Sequence, residues 1–297
     1  MIRKALTPCI FLLLFVTGSL FFLSTPVLSG VYLSPDSNRF IFKGWGGPAI
    51  PVWYTLPENY NADTPIVIVM HGVKRDADRY LSEWTPLARE YGFILLVPEF
   101  SKQDFPGAAG YNLGNVFTKD GRKNPEEQWS FSALDPLFET MKKDLGSKRE
   151  GYRLYGHSAG SQFVHRFLLY KPDAKIEMAI SANAGWYTAP TEDEPYPYGL
   201  KDSGIDRDSL KPLFGRNVII LLGDKDTDPN HKSLRRTQEA MRQGPHRFAR
   251  GHYFFEAART MAKKLDVSFN WKLQTVPGAE HRNDQMAIAA SPILSQR

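Results

Sequence analysis

Tyr152-Arg153-Leu154-Tyr155-Gly156-His157-Ser158-Ala159-Gly160, near the middle of this 297-residue chain, is a short apolar run that closes on Gly-x-Ser-x-Gly. Beyond it, Ser161 to Tyr170 carries Phe163, Phe167 and Leu168 at helical spacing. The stretch therefore reads as strand, sharp turn and helix, with a serine at the apex. That layout thrusts a hydroxyl out of the backbone as a nucleophile. Gly156 and Gly160 have a steric role in it, because the turn strains the serine backbone and brings strand and helix too close for larger side chains. The pentapeptide alone also occurs by chance in ordinary loops. The order of its partners decides: an acid and then a histidine must follow, each on a loop after a strand.

Asn217 to Leu222 is the most apolar strand candidate of the second half, and it runs into Gly223-Asp224-Lys225-Asp226-Thr227-Asp228-Pro229. Asp226 is the expected acid, since three residues past the strand-closing glycine is far enough to curl back toward the serine. Asp224 and Asp228 are expected as turn formers or exposed caps. The last strand candidate, Phe269 to Val276, ends at Pro277-Gly278-Ala279-Glu280-His281. A histidine in that loop, just before a closing helix, stands where a general base belongs. His231, His246 and His252 fall in helical or basic stretches and read as surface or packing residues. The chemistry needs this trio because a neutral hydroxyl is a poor nucleophile. An imidazole takes its proton and later returns it to the leaving group, while a carboxylate holds the ring in the right tautomer. Two backbone N–H groups must then meet the developing oxyanion. Ala159, directly after Ser158, supplies one. Val73 is expected to supply the other, from the loop after Pro65 to Met70, with Gly72 leaving room for substrate and the His71 side chain ordering the loop.

Val69-Met70-His71-Gly72, Gly156 to Gly160, Gly223 to Pro229 and Pro277 to His281, in that order, resemble the α/β-hydrolase superfamily. Within it the chain is similar to secreted serine esterases of the polyhydroxybutyrate depolymerase and feruloyl esterase groups. The resemblance implies hydrolysis of a small-molecule or polymeric carboxylic ester through an acyl-enzyme, with no metal or organic cofactor. One departure is plain. The lone cysteine, Cys9, lies in the N-terminal leader, so the disulfides that brace some secreted relatives have no counterpart in residues 30–297.

That leader is basic at Arg3 and Lys4, apolar from Ile10 to Leu23, and has small residues before Gly30. It reads as a secretory signal peptide over residues 1–29, which directs export to the periplasm or beyond. Membrane contact is expected only if the leader stays uncleaved. Cleavage removes two cations and no acid, lowering the formal charge from +5 to +3. The positive charges are scattered, and no binding motif or basic face with stacking aromatics points to nucleic acid. No motif encodes an oligomeric state.

Residues 30–297 suit one α/β domain. Strands are expected near 39–45, 50–56, 65–71, 93–98, 152–156, 176–182, 217–223 and 269–276. Helices are expected near 77–91, 131–145, 159–171, 231–243, 252–265 and 283–290. Alternation of apolar strands with amphipathic helices implies a mostly parallel central sheet covered on both faces, with the first strand pair as an antiparallel edge. Two long aromatic-rich stretches, 99–130 and 183–215, leave the sheet where such folds bind ligands. Trp186 and Tyr187 of the second are expected to wall a substrate pocket beside Ser158. Two rivals share these features: a serine peptidase or amidase with the same trio, and a catalytically silent binding protein on the same fold.

Overall fold

Ile66–Met70, strand β3, is buried at every position, and its side chains alternate between two separate cores. Ile66, Ile68 and Met70 join one core, whereas Val67 and Val69 join the other. A continuous apolar run with no polar face is what a strand covered on both sides requires. The computed structural model in which this is seen describes Leu33 and residues 38–296. The expected signal peptide, 1–29, and the first residues of the expected domain lie outside them.

The remaining strands are β1 (Arg39–Phe42), β2 (Ile50–Thr55), β4 (Ile94–Pro98), β5 (Tyr152–His157), β6 (Ile176–Ala182), β7 (Val218–Gly223) and β8 (Lys272–Val276). They form one eight-stranded sheet in the order β1-β2-β4-β3-β5-β6-β7-β8. The run from β4 to β8 is parallel, while β1 and β2 pair antiparallel at one edge. Helices α1 (Ala77–Tyr91) and α7 (Asn283–Ser295) cover one face. Helices α2 (Leu134–Asp144), α3 (Ala159–Tyr170) and α6 (Arg247–Lys264) cover the other. Two short helices, α4 (Lys211–Phe214) and α5 (Gln238–Arg242), sit in the connections.

Helix α1 shows why such segments form. Ala77, Tyr80, Leu81, Trp84 and Ala88 recur on one buried face, and Gly92 ends the helix at φ 70°, donating its N–H to the Ala88 carbonyl at 3.0 Å. The sequence placed most elements within five residues of their observed bounds, α6 starting five residues earlier and α7 ending five later than expected; two further differences have a visible cause. The helix expected over 231–243 is confined to α5. Its first half is an irregular segment, because the Arg247 and Arg250 side chains capture its polar and carbonyl groups. β8 begins at Lys272 and not Phe269, since the Asn270 N–H and the Trp271 indole donate to Phe214 and Leu213 carbonyls instead of a neighbouring strand. Among the described residues, no helix is long and apolar enough to cross a membrane.

Candidate active site

Ser158 stands between β5 and α3 with φ 58°, a left-handed backbone that a non-glycine residue adopts only under constraint. The constraint is close packing. A Cβ on Gly156 would overlap the Gly160 carbonyl, and one on Gly160 would overlap the Met70 carbonyl of β3. The Ser158 N–H donates to the Ala182 carbonyl of β6 at 3.0 Å, so the turn is also tied to the next strand.

Asp226 follows β7 and His281 follows β8, two and three strands from β5 in the sheet. Their loops are fastened together. The Lys225 N–H donates to the Ala279 carbonyl at 2.9 Å, and the Gly278 N–H to the Asp224 carboxylate at 2.8 Å. Just past β6, Asn183 accepts the Gly223 N–H at 2.9 Å and donates to the Glu280 carbonyl at 3.3 Å, spanning both loops. The result is a continuous chain: Ser158 Oγ lies 3.0 Å from His281 Nε2, and His281 Nδ1 lies 2.7 Å from Asp226 Oδ2. Asp224 instead braces the histidine loop, and Asp228 accepts the Asn230 N–H as a local turn. Asp226 is buried, 4 % exposed, whereas Ser158 and His281 are partly open to a cleft of about 460 Å³.

Val73 lines the same cleft and is 60 % exposed. β3 and β5 are adjacent, with Met70 opposite Gly156, so the loops carrying Val73 and Ala159 leave the sheet side by side. The first of these loops is rigidly held. His71 is buried; its Nε2 accepts the Phe100 N–H at 3.1 Å, which leaves Nδ1 to donate to the Gly72 carbonyl at 3.1 Å. Burial lowers its pKa to about 4, so the ring is neutral near pH 7. Arg75 donates to the carbonyls of Phe100, Phe105 and Gly107 and lies over the Tyr111 ring at 4.0 Å, strapping the 99–130 stretch to this loop. His157 lies against His281 with the rings tilted and their centroids 4.8 Å apart, and burial, reinforced by His281, Arg247 and Arg79, holds it far below the usual histidine range.

Trp186 and Tyr187 are not on the wall of the cleft. Trp186, 5 % exposed, has the guanidinium groups of Arg166 and Arg235 over its ring at 4.2 and 4.9 Å. Tyr187 is buried against Phe254, with ring centroids 4.5 Å apart. Large aromatic surfaces are more favourable packed against the domain than left at a wet mouth, and here they hold the 183–215 stretch onto α3 and α6. One wall of the cleft is instead made by His231, Lys232 and Ser233, which read as helix in the sequence. Lys74 and Lys232 face the cleft and form no ion pair among the described residues, whereas Arg79 pairs with Asp76 and Glu83. Among the described residues, no cluster of three His, Cys, Asp or Glu side chains could hold a metal ion.

An activated hydroxyl, an imidazole and a buried carboxylate in hydrogen-bonded series can perform nucleophilic acyl transfer. Comparison with known proteins finds hydrolases. The structure is similar to that of poly(aspartic acid) hydrolase-1 from Sphingomonas sp. KT-1, with 44% sequence identity and a TM-score of 0.86, covering 89% of this chain and 100% of that one. It is also similar to a poly(3-hydroxybutyrate) depolymerase from Bordetella parapertussis, at 33% identity and a TM-score of 0.78, covering 82% of this chain and 83% of the other. An S-formylglutathione hydrolase from Agrobacterium tumefaciens, at 14% identity and a TM-score of 0.51, shares the fold over 87% of this chain and 96% of that one. Scans against protein-family models and curated proteins give no match.

Proposed function

The chain belongs to the α/β-hydrolase-fold serine hydrolases, and from that membership we propose that it cleaves carboxylic esters through Ser158, His281 and Asp226. Ser158 Oγ attacks the ester carbonyl while His281 Nε2 takes its proton. His281 then protonates the departing alcohol, leaving an acyl group on Ser158. Water, deprotonated by the same nitrogen, releases the acid. Asp226 fixes the proton on Nδ1 and offsets the charge of the imidazolium. The N–H groups of Val73 and Ala159 receive the oxyanion. One observation carries this reading: the unbroken series from Ser158 Oγ at 3.0 Å to His281 and on at 2.7 Å to Asp226.

A second reading is favoured by Lys74 and Lys232, cations at the cleft without a carboxylate partner among the described residues. A relative of 44% identity is named for poly(aspartic acid), a polyanion joined by amide bonds. On this reading the same trio cleaves an anionic polyamide, with the lysines attracting its carboxylates. The expected leader supports an exported enzyme acting on substrate outside the cytoplasm, with cleavage before Gly30; an exported form retaining residues 1–29 by mass would contradict that.

One experiment separates the readings. A p-nitrophenyl acyl series and poly(aspartate) are offered to the protein and to Ser158→Ala, with fluorophosphonate labelling in parallel. The ester reading expects chromophore release and labelling by the wild type and neither by Ser158→Ala. Fragmentation of poly(aspartate) with weak ester turnover would favour the amide reading. Absence of labelling and of turnover on both substrates would leave a silent binding protein.

A further inference from the structure

Arg247 opens α6 and is 2 % exposed, yet it contacts both the buried acid and the rim of the cleft. Its Nη1 donates to Asp226 Oδ1 at 3.2 Å, the oxygen that His281 leaves free. Its Nη2 donates to Ser233 Oγ at 2.9 Å and to His231 Nδ1 at 3.1 Å. The next residue reinforces the first contact, because the Phe248 N–H donates to the Asp226 carbonyl at 3.2 Å. We propose that Arg247 is a positioning residue for the hydrolysis, holding the Asp226 carboxylate in line with His281 and seating the His231–Ser233 wall of the cleft. The proposal rests on the reading of Ser158, His281 and Asp226 as the catalytic trio.

A carboxylate held by one oxygen alone is free to turn about its last bond, and His281 would turn with it. The guanidinium removes that freedom by taking the second oxygen. Only a planar, permanently charged fork can reach partners lying in different directions at once, which a lysine ammonium on a single stem does poorly. Asp226 is the sole carboxylate paired with Arg247 among the described residues. The second arm orders the wall. His231 Nδ1 accepts from Arg247 and from the Ser233 N–H at 3.2 Å, so the ring carries its proton on Nε2. That ring stands edge-on to His281, with centroids 5.8 Å apart, and lines the cleft. Both histidines are thus oriented through one guanidinium. Losing it disturbs turnover through the acid and apparent affinity through the wall.

The two arms can be cut separately. Arg247→Ala is expected to lower kcat on p-nitrophenyl butyrate about 100-fold, the scale of a displacement near 1 Å at the reacting groups, and to raise KM. Guanidinium added to the solution should recover part of the kcat. Ser233→Ala combined with His231→Phe leaves the bond to Asp226 and should raise KM by a larger factor than it lowers kcat. A folded Arg247→Ala with kcat within about twofold of wild type, a loss that guanidinium does not reverse, or a double variant that loses as much kcat as Arg247→Ala would each overturn the proposal. If the alanine variant does not fold, Arg247→Lys keeps the buried charge without the fork, and its kcat/KM should fall about tenfold; wild-type kcat/KM would overturn the role. A substrate-free readout stands beside these. The low-field proton resonance of His281 Nδ1 should shift or broaden in whichever Arg247 variant folds, and an unchanged resonance would overturn the proposal. Should the wild type cleave neither ester nor amide, the functional reading fails while that resonance still judges the positioning role.

Discussion

Three aspartates crowd the loop after β7, and the structure separates them by what each oxygen touches. Asp226 meets His281 and Arg247, Asp224 receives the Gly278 N–H, and Asp228 closes its own turn. Asp226→Asn keeps the shape but loses the acceptor that holds the proton on His281 Nδ1. Its kcat on a p-nitrophenyl ester is expected to drop by about 10⁴. Asp224→Asn is expected to lose less than about tenfold, because it loosens the histidine loop by a single hydrogen bond worth about 1 kcal/mol. Steady-state kinetics of the two variants checks the ordering, and a more damaging Asp224→Asn would reassign the acid. The histidines separate in the same way. His281 was legible from its loop, whereas His231 was not, because the basic, proline-poor segment around it mimics a helix in sequence.

At the scale of elements, the decisive junction is where β3, β5 and α3 converge. Gly160, in the first turn of α3, lies against the Met70 carbonyl, so an added methyl group meets backbone that belongs to the sheet and cannot swing aside. Gly160→Ala is expected to cost about 3 kcal/mol, the upper end of overpacking in a tight interior, and to move Ser158 out of reach of His281. Urea unfolding measures the first effect and ester turnover the second; a variant with native stability and activity would show that α3 can retreat. Strand and helix positions around this junction were readable because apolar period and glycine placement agree there. The segment before α5 was misread for the opposite reason: its local pattern is helical, but buried arginines from α6 draw its polar groups elsewhere.

Across the whole molecule, buried neutral imidazoles tie stability to pH. Burial lowers His71 to about 4 from the ordinary 6.5, and it also holds His157 and His165 far below the usual range. The unfolded chain therefore takes up protons first as the solution is acidified. The stability that a neutral His71 contributes is complete above about pH 6.5 and declines as pH falls toward 4. His71 alone contributes about 3 kcal/mol to that loss once pH drops below its folded value. His71→Gln can still accept the Phe100 N–H through its amide oxygen, yet it does not titrate. Urea denaturation between pH 7 and 4.5 is expected to give a shallower pH slope in this variant, and equal slopes would contradict a neutral buried His71.

Chain order alone carried the turn at Ser158, the loops that bring Asp226 and His281 to it and the layered α/β plan, because each depends on local signals: apolar period, glycines at a forced turn, and the succession of loops. Pairing of strands far apart in sequence decided the rest. It aligned the loops after β5, β7 and β8, buried Trp186 under two arginines and Tyr187 against Phe254, and turned Arg247 toward Asp226. Which side chain faces a cleft and which fills the interior is settled by competition for space among distant segments, and such competition leaves no periodic trace in the sequence.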